Sequence, residues 1–136
     1  MILNLTQHAA TADQRAAGVV DLEGEQLMAL KALLTFGRFP TAFEVSLMAQ
    51  AIARLAADFL RHDDHDRRRA MIGGAPYLMA PLEHALVAEG IQPLFAFSQR
   101  VSVEEIQPDG TVRKTAVFRH EGFIPSYRTD SGNFKS

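Results

Sequence analysis

The chain has 136 residues, 47% of them hydrophobic and 22% charged, with a net charge of −2 and no cysteine. That length supports one domain whose core buries roughly two thirds of the extended chain's surface. The composition excludes a disordered chain, a disulfide scaffold and thiolate metal sites. A pI of about 6.2 leaves no overall attraction for bulk nucleic acid.

Residues Met1 to Thr6 lack the basic region and long apolar run of a signal peptide. No stretch approaches the ~20 apolar residues that span a bilayer, so a cytoplasmic chain without a membrane partner is expected. Ile2 to Leu5 reads as a short buried strand. Thr11-Ala12-Asp13-Gln14 is a capping box that opens a short helix, which Gly18 stops. Val19 to Leu22 reads as a second strand, so the chain opens like a βαβ unit. Leu27, Leu30, Leu33 and Leu34 give Glu25–Phe36 a helical stripe, broken by Gly37-Arg38-Phe39-Pro40. Thr41 and Glu44 form a second capping box, followed by Val45, Met48, Ile52, Leu55 and Phe59 at helical spacing. Phe36, Phe39 and Phe43, around the break, are expected to pack.

Arg61 to Arg69 is a charge run, expected to be a frayed helix end and a solvated connection. Ala70-Met71-Ile72 reads as a strand ending at Gly73-Gly74, before a helix that Pro76 suits as first residue. Leu78, Leu82, Ala85 and Leu86 face inward, Pro81 implies a kink or a loose first turn, and Gly90 ends the helix. Pro93 to Phe97 reads as the next strand. Val101 and Val103, the turn signal Gln107-Pro108-Asp109-Gly110, and Val112 to Ile124 then read as a hairpin. The pattern predicts one α/β domain over residues 1–124, a three-layer, mostly parallel Rossmann-like sheet with a C-terminal β-hairpin. Residues 125–136 are a polar, unpatterned tail, expected to be loosely held.

Ligands of such sheets bind outside the carboxyl ends of the strands, where strand order reverses. Three strand ends meet that rule: one runs into Asn4, Thr6, Gln7 and His8, one into Gly73-Gly74, and one into Ser98, Gln99 and Arg100. The glycine pair leaves room against the backbone, and the helix behind it presents free N–H groups to an anion such as phosphate. It is neither the dinucleotide fingerprint nor a Walker loop, and a sharp turn alone also explains two glycines. Asn4, Thr6, Gly73, Gly74 and Ser98 are therefore the candidate ligand-binding residues. His8 is the candidate general base and Arg100 the candidate stabiliser of transition-state charge. No cofactor is implied.

Arg119-His120-Glu121 lies late in the last strand, with Arg119 and Glu121 on one face and His120 on the other. An edge-strand charge pair accounts for it more simply than a site. His62 and Asp66 fall at i and i+4 inside the charge run, a metal-like spacing only where a helix continues that far. A solvated face is the simpler account, so no metal site is expected.

Four segments together carry a resemblance: Ile2-Leu3-Asn4-Leu5-Thr6-Gln7-His8, Gly18-Val19-Val20-Asp21-Leu22, Met71-Ile72-Gly73-Gly74-Ala75-Pro76 and Ala96-Phe97-Ser98-Gln99-Arg100. Over most of residues 1–124 the chain resembles a family of small uncharacterised proteins of phages, prophages and mobile elements. Its layout is similar to a minimal CRISPR-associated Rossmann fold domain. The resemblance implies a fold more than an activity, together with homodimerisation. Two functions stay open. One is binding, or processing, of a nucleotide or other phosphorylated small molecule at the strand ends. The other is a non-enzymatic accessory protein acting through protein–protein contacts, with the hairpin of residues 99 to 124 augmenting a partner sheet.

Overall fold

A computed structural model describes residues 1–126 of the chain, so most of the polar tail lies outside the described residues. In chain order the elements are β1 (Ile2–Asn4), α1 (Ala12–Ala16), β2 (Val19–Asp21), α2 (Gly24–Leu34), α3 (Ala42–Leu60), β3 (Arg69–Ile72), α4 (Pro76–Ala88), β4 (Gln92–Ile106) and β5 (Val112–Pro125). The sheet order is β2-β1-β3-β4-β5; β1 pairs parallel with β2 and β3, β3 pairs parallel with β4, and β5 returns antiparallel on β4. The fold is therefore mixed α/β with a mostly parallel sheet and a C-terminal hairpin.

Strand alternation divides the core in two. Leu3, Leu5, Ala70 and Ile72 join the larger cluster, which takes buried residues from α2, α3 and α4. Ile2, Val19, Met71 and Leu94 form the smaller one on the other face, with Ala10 and Phe123 packed there. Three helices thus cover one face. The third layer anticipated on the opposite face is thin, because α1 has five residues and buries none of them. Its sequence, Ala-Asp-Gln-Arg-Ala, has no apolar stripe to lay on a sheet.

Both capping boxes form. At α3 the Thr41 hydroxyl accepts from the Glu44 N–H at 3.1 Å, and the Glu44 carboxylate accepts from the Thr41 N–H at 3.4 Å. Thr41→Ala is expected to cost about 1 kcal/mol, read as a lower urea midpoint at unchanged slope. The deepest residues of α3 include Ala49, Ala53 and Ala56, while Met48, Leu55 and Phe59 are half-buried. Small side chains let α3 lie close to its neighbours, so the buried stripe takes Ala49, Ala53 and Ala56 beside Val45, Ile52 and Leu60.

Further expectations are corrected as well. Phe36 packs on the core, edge-to-face with Tyr77 at 5.4 Å, but Phe39 is 94% and Phe43 71% exposed. Phe43 precedes the inward Val45 by two residues, about 200° around the helix, so it points away from the core. The charge run is mostly exposed, as a solvated connection should be; it follows the end of α3 at Leu60 and contains one 3-10 turn, His65–Arg67. His62 and Asp66 consequently share no helix face. Among the described residues no group of three or more metal-ligating side chains gathers.

β4 does not stop at Phe97. It runs unbroken to Ile106, since Ser98-Gln99-Arg100 contains neither proline nor glycine to end it. The irregularity lies on its partner instead. The register passes from Phe97↔Gly122 to Ser98↔His120, leaving Glu121 as a bulge. Simple alternation across Arg119-His120-Glu121 therefore fails. Because β3 reaches β4 only as far as Phe95, residues 98–106 and 112–120 form a ribbon of two strands beyond the main sheet.

α4 runs from Pro76 through Pro81 to Ala88, and at its start the Leu78 N–H donates to the Ala75 carbonyl at 3.0 Å.

Candidate functional site

β1 is flanked by β2 on one side and β3 on the other, so strand order reverses between β1 and β3. A cleft of about 420 Å³ opens at the carboxyl ends of these two strands. Its floor is Ile72, Gly73 and Gly74. One wall is the loop from Thr6 to Ala9 with Thr11 and Gln14, and the other is Phe95 and Ala96 of β4. Four of the anticipated residues, Thr6, His8, Gly73 and Gly74, meet here.

Asn4 lies beneath that wall and is 4% exposed. Its Nδ2 donates to the His8 carbonyl and to Asp21 Oδ1, both at 2.8 Å. Its Oδ1 accepts from the Thr6 N–H at 2.9 Å and from the Thr6 hydroxyl at 2.7 Å. Two donors and two acceptor positions are all an amide has, so Asn4 holds the loop and offers nothing to a ligand. The Thr6 hydroxyl is likewise turned to Asn4, with the His8 carbonyl at 3.1 Å. It is the Thr6 methyl that faces Gly73, only 3.6 Å from where a Cβ there would sit.

Asp21, at the end of β2, is the other anchor of this loop. Burial pushes its carboxyl pKa up, but the bonds it accepts from Asn4, the Ala10 N–H and Arg15 outweigh that and hold it below its ordinary value. Gln7 ties the loop to the helical face, its Nε2 donating to the Leu34 carbonyl at 3.2 Å. The wall is thus built from backbone pinned by three side chains, two of them buried or half-buried.

On the floor, Gly74 has φ +136°, a conformation that L side chains rarely adopt, whereas Gly73 has no such requirement. α4 starts directly behind this turn with no side-chain cap, and Pro76 has no N–H. The positive end of a 13-residue helix therefore stands at the glycine turn. The His8 imidazole is exposed and, among the described residues, makes no hydrogen bond or ion pair, so no carboxylate orients it.

Ser98 and Arg100 do not line the cleft. Ala96 does, and the ribbon carries Ser98 one side-chain repeat further and Arg100 two, about 13 Å along the strand. Sequence reasoning missed Gln14 as a wall residue, since capping alone explained it; His120 does lie on an edge strand, β5. His120 opposes Ser98, packs tilted against Phe123 at 4.8 Å between centroids, and keeps a buried Nδ1 without a hydrogen-bond partner among the described residues. Only the bulge at Glu121 puts it there, and a bulge leaves no mark in the alternation.

The cleft does not stand alone. Gln7, Gly73 and Gly74 also line a depression of about 300 Å³ that reaches Phe36 and Tyr77. Those two rings in turn border an apolar groove of about 650 Å³ with Phe39 and Pro81. No helix among the described residues is long and apolar enough to cross a membrane.

No curated protein matches the chain, and no solved structure does. The Uncharacterized protein MJ1673 family matches it over residues 1–124, the whole of the sheet and its helices save the last residue of β5, and the chain belongs to that family.

Proposed function

We propose that this chain is a minimal Rossmann-like domain that binds a nucleotide or other phosphorylated small molecule in the cleft between the ends of β1 and β3. The observation that carries this reading is the position of the cleft. The sheet order matches that of doubly wound folds whose ligands lie at the β1/β3 reversal, and here that point has a glycine floor backed by an uncapped helix start. His8 is the imidazole on the wall, and for a phosphodiester ligand it is the group placed to accept a proton. Arg100 has no role at this cleft in the reading, because of its distance along the ribbon.

Gly73→Ala tests it. The added methyl meets the Thr6 methyl at ordinary van der Waals distance and imposes no backbone strain, so the variant is expected to keep its Tm within about 4 °C of the parent. It also fills the floor of the cleft. Thermal-shift measurements with nucleoside mono- and diphosphates, dinucleotides and inorganic phosphate are expected to raise the parent's Tm. A ligand at 100 times its Kd contributes about 2.7 kcal/mol, and Gly73→Ala is expected to lose the shift. If no phosphorylated compound stabilises the parent, the reading falls.

The second reading, a protein-binding accessory factor, is favoured by one observation. The ribbon exposes Phe118 (75%) and Ile106 (82%), and among the described residues none of its side chains joins either core cluster.

A further inference from the structure

Among the described residues, the ribbon of residues 98–106 and 112–120 stands outside both core clusters. A two-stranded ribbon is marginal in water, whereas three or more strands with an apolar face are stable. Among the described residues, the edge of β4 that β3 served is left open beyond Phe95. The sequence along that open edge is Arg100-Val101-Ser102-Val103-Glu104. Read from Ser102 outward, it is symmetric in apolar character and antisymmetric in charge.

We propose that β4 pairs antiparallel with β4 of a second copy of this chain, about a two-fold axis through Ser102. In that register Val101 opposes the partner's Val103, and Arg100 opposes the partner's Glu104. The symmetry makes each pair occur twice, as an isologous contact requires. Opposed residues share a face, so the pairing extends rows already present in the hairpin. Val101 is matched to Val117, and Val103 to Thr115, within the chain. Across two copies the row becomes Val117, Val101, the partner's Val103 and the partner's Thr115, a continuous β-branched strip over four strands. On the other face Arg100 is matched to Phe118, and Glu104 to Lys114, whose ammonium stands 3.9 Å from the carboxylate. The second row becomes Phe118, Arg100, the partner's Glu104 and the partner's Lys114, in which each carboxylate lies between two cations. Side chains of Arg100, Ser102 and Glu104 are exposed.

The same register brings the partner's Ile106 opposite Ser98, one side-chain repeat from Ala96 on the cleft wall. Each hairpin tip thus ends beside the other copy's cleft. The inference stands on the edge and its charge pattern, independently of what the cleft binds.

Sedimentation equilibrium on the full chain gives the mass. Arg100→Glu and Glu104→Arg each place like charges opposite one another twice, and are expected to weaken the dimer at least about tenfold. The double variant Arg100→Glu/Glu104→Arg is expected to restore it. Ser102→Cys in this cysteine-free chain is expected to form a disulfide-linked dimer on mild oxidation. The two-fold places residue 102 of each copy about 4.5–5.5 Å apart between Cα atoms, inside disulfide range. Ala116→Cys, three strand spacings or about 14 Å from its mate, is expected not to link. A monomeric mass at every concentration overturns the proposal. So does a dimer indifferent to both single reversals, or Ala116→Cys linking as readily as Ser102→Cys. If the charge variants fail to fold, the cysteine pair decides.

Discussion

Asn4→Asp is expected to destabilise the chain by at least about 3 kcal/mol at neutral pH, and the deficit is expected to shrink as the pH is lowered. The amide Nδ2 donates at 2.8 Å to two oxygens, the His8 carbonyl and Asp21 Oδ1. Replacing it with oxygen removes both donations and sets a buried carboxylate against another, each loss being costly where water cannot compensate. The sign of the pH effect separates this account from simple loss of packing. In the parent, the Asp21 pKa lies below its ordinary value. That carboxylate therefore contributes stability above the ordinary aspartate range, and the contribution disappears as pH falls through the depressed pKa. In the variant, two adjacent carboxyls share one proton, which raises the pKa of the pair. Protonation then restores a donor, so stability is recovered as pH falls through that raised value. Between pH 8 and pH 4 the urea midpoint of the parent is expected to hold nearly steady, because its Asp21 pKa lies below that window, while that of Asn4→Asp rises toward it. A deficit that is constant with pH would show that the Asn4–Asp21 contact is not what anchors the loop.

Leu82→Ala, the second large effect, is expected to cost about 2–5 kcal/mol in the same measurement. Leu82 is fully buried in the cluster joining α4 to the sheet, and alanine is a good helix former, so the loss is packing alone. Phe39→Ala removes a larger ring yet is expected to change stability by no more than about 0.5 kcal/mol, because that ring touches water rather than core. The contrast reports which aromatic residues belong to the interior.

These two residues also mark how far the sequence could be read. Helix signals were plain where periodicity and capping agreed: Thr41 with Glu44 fixed the start of α3, and Leu78, Leu82 and Leu86 are buried as their spacing requires. The strand ends at Thr6, His8 and Gly73-Gly74 were likewise visible, because short apolar runs stop abruptly at polar or glycine residues, and these residues do share one cleft. Asn4 was legible as a residue but not in its role. Whether an amide faces a ligand or its own loop depends on the partner at position 21, seventeen residues away, which only parallel pairing of β1 and β2 brings near. Ser98 and Arg100 were misplaced for a different reason. Their apparent strand end does not exist, since nothing in residues 98 to 100 stops a strand and β4 simply outruns its neighbour β3. Phe39 and Phe43 show the limit of composition: aromatic residues beside a proline suggest packing, but only the direction of the turn decides it.

Between Leu94 and Ile106 the long strand contains no glycine or proline. Its partner β5 carries a bulge at Glu121, opposite the boundary between the stretch that forms the cleft wall and the stretch that stands free in solvent. A bulge bends a ladder and raises its twist where it sits, so the direction in which the free stretch leaves the domain is set next to the cleft wall.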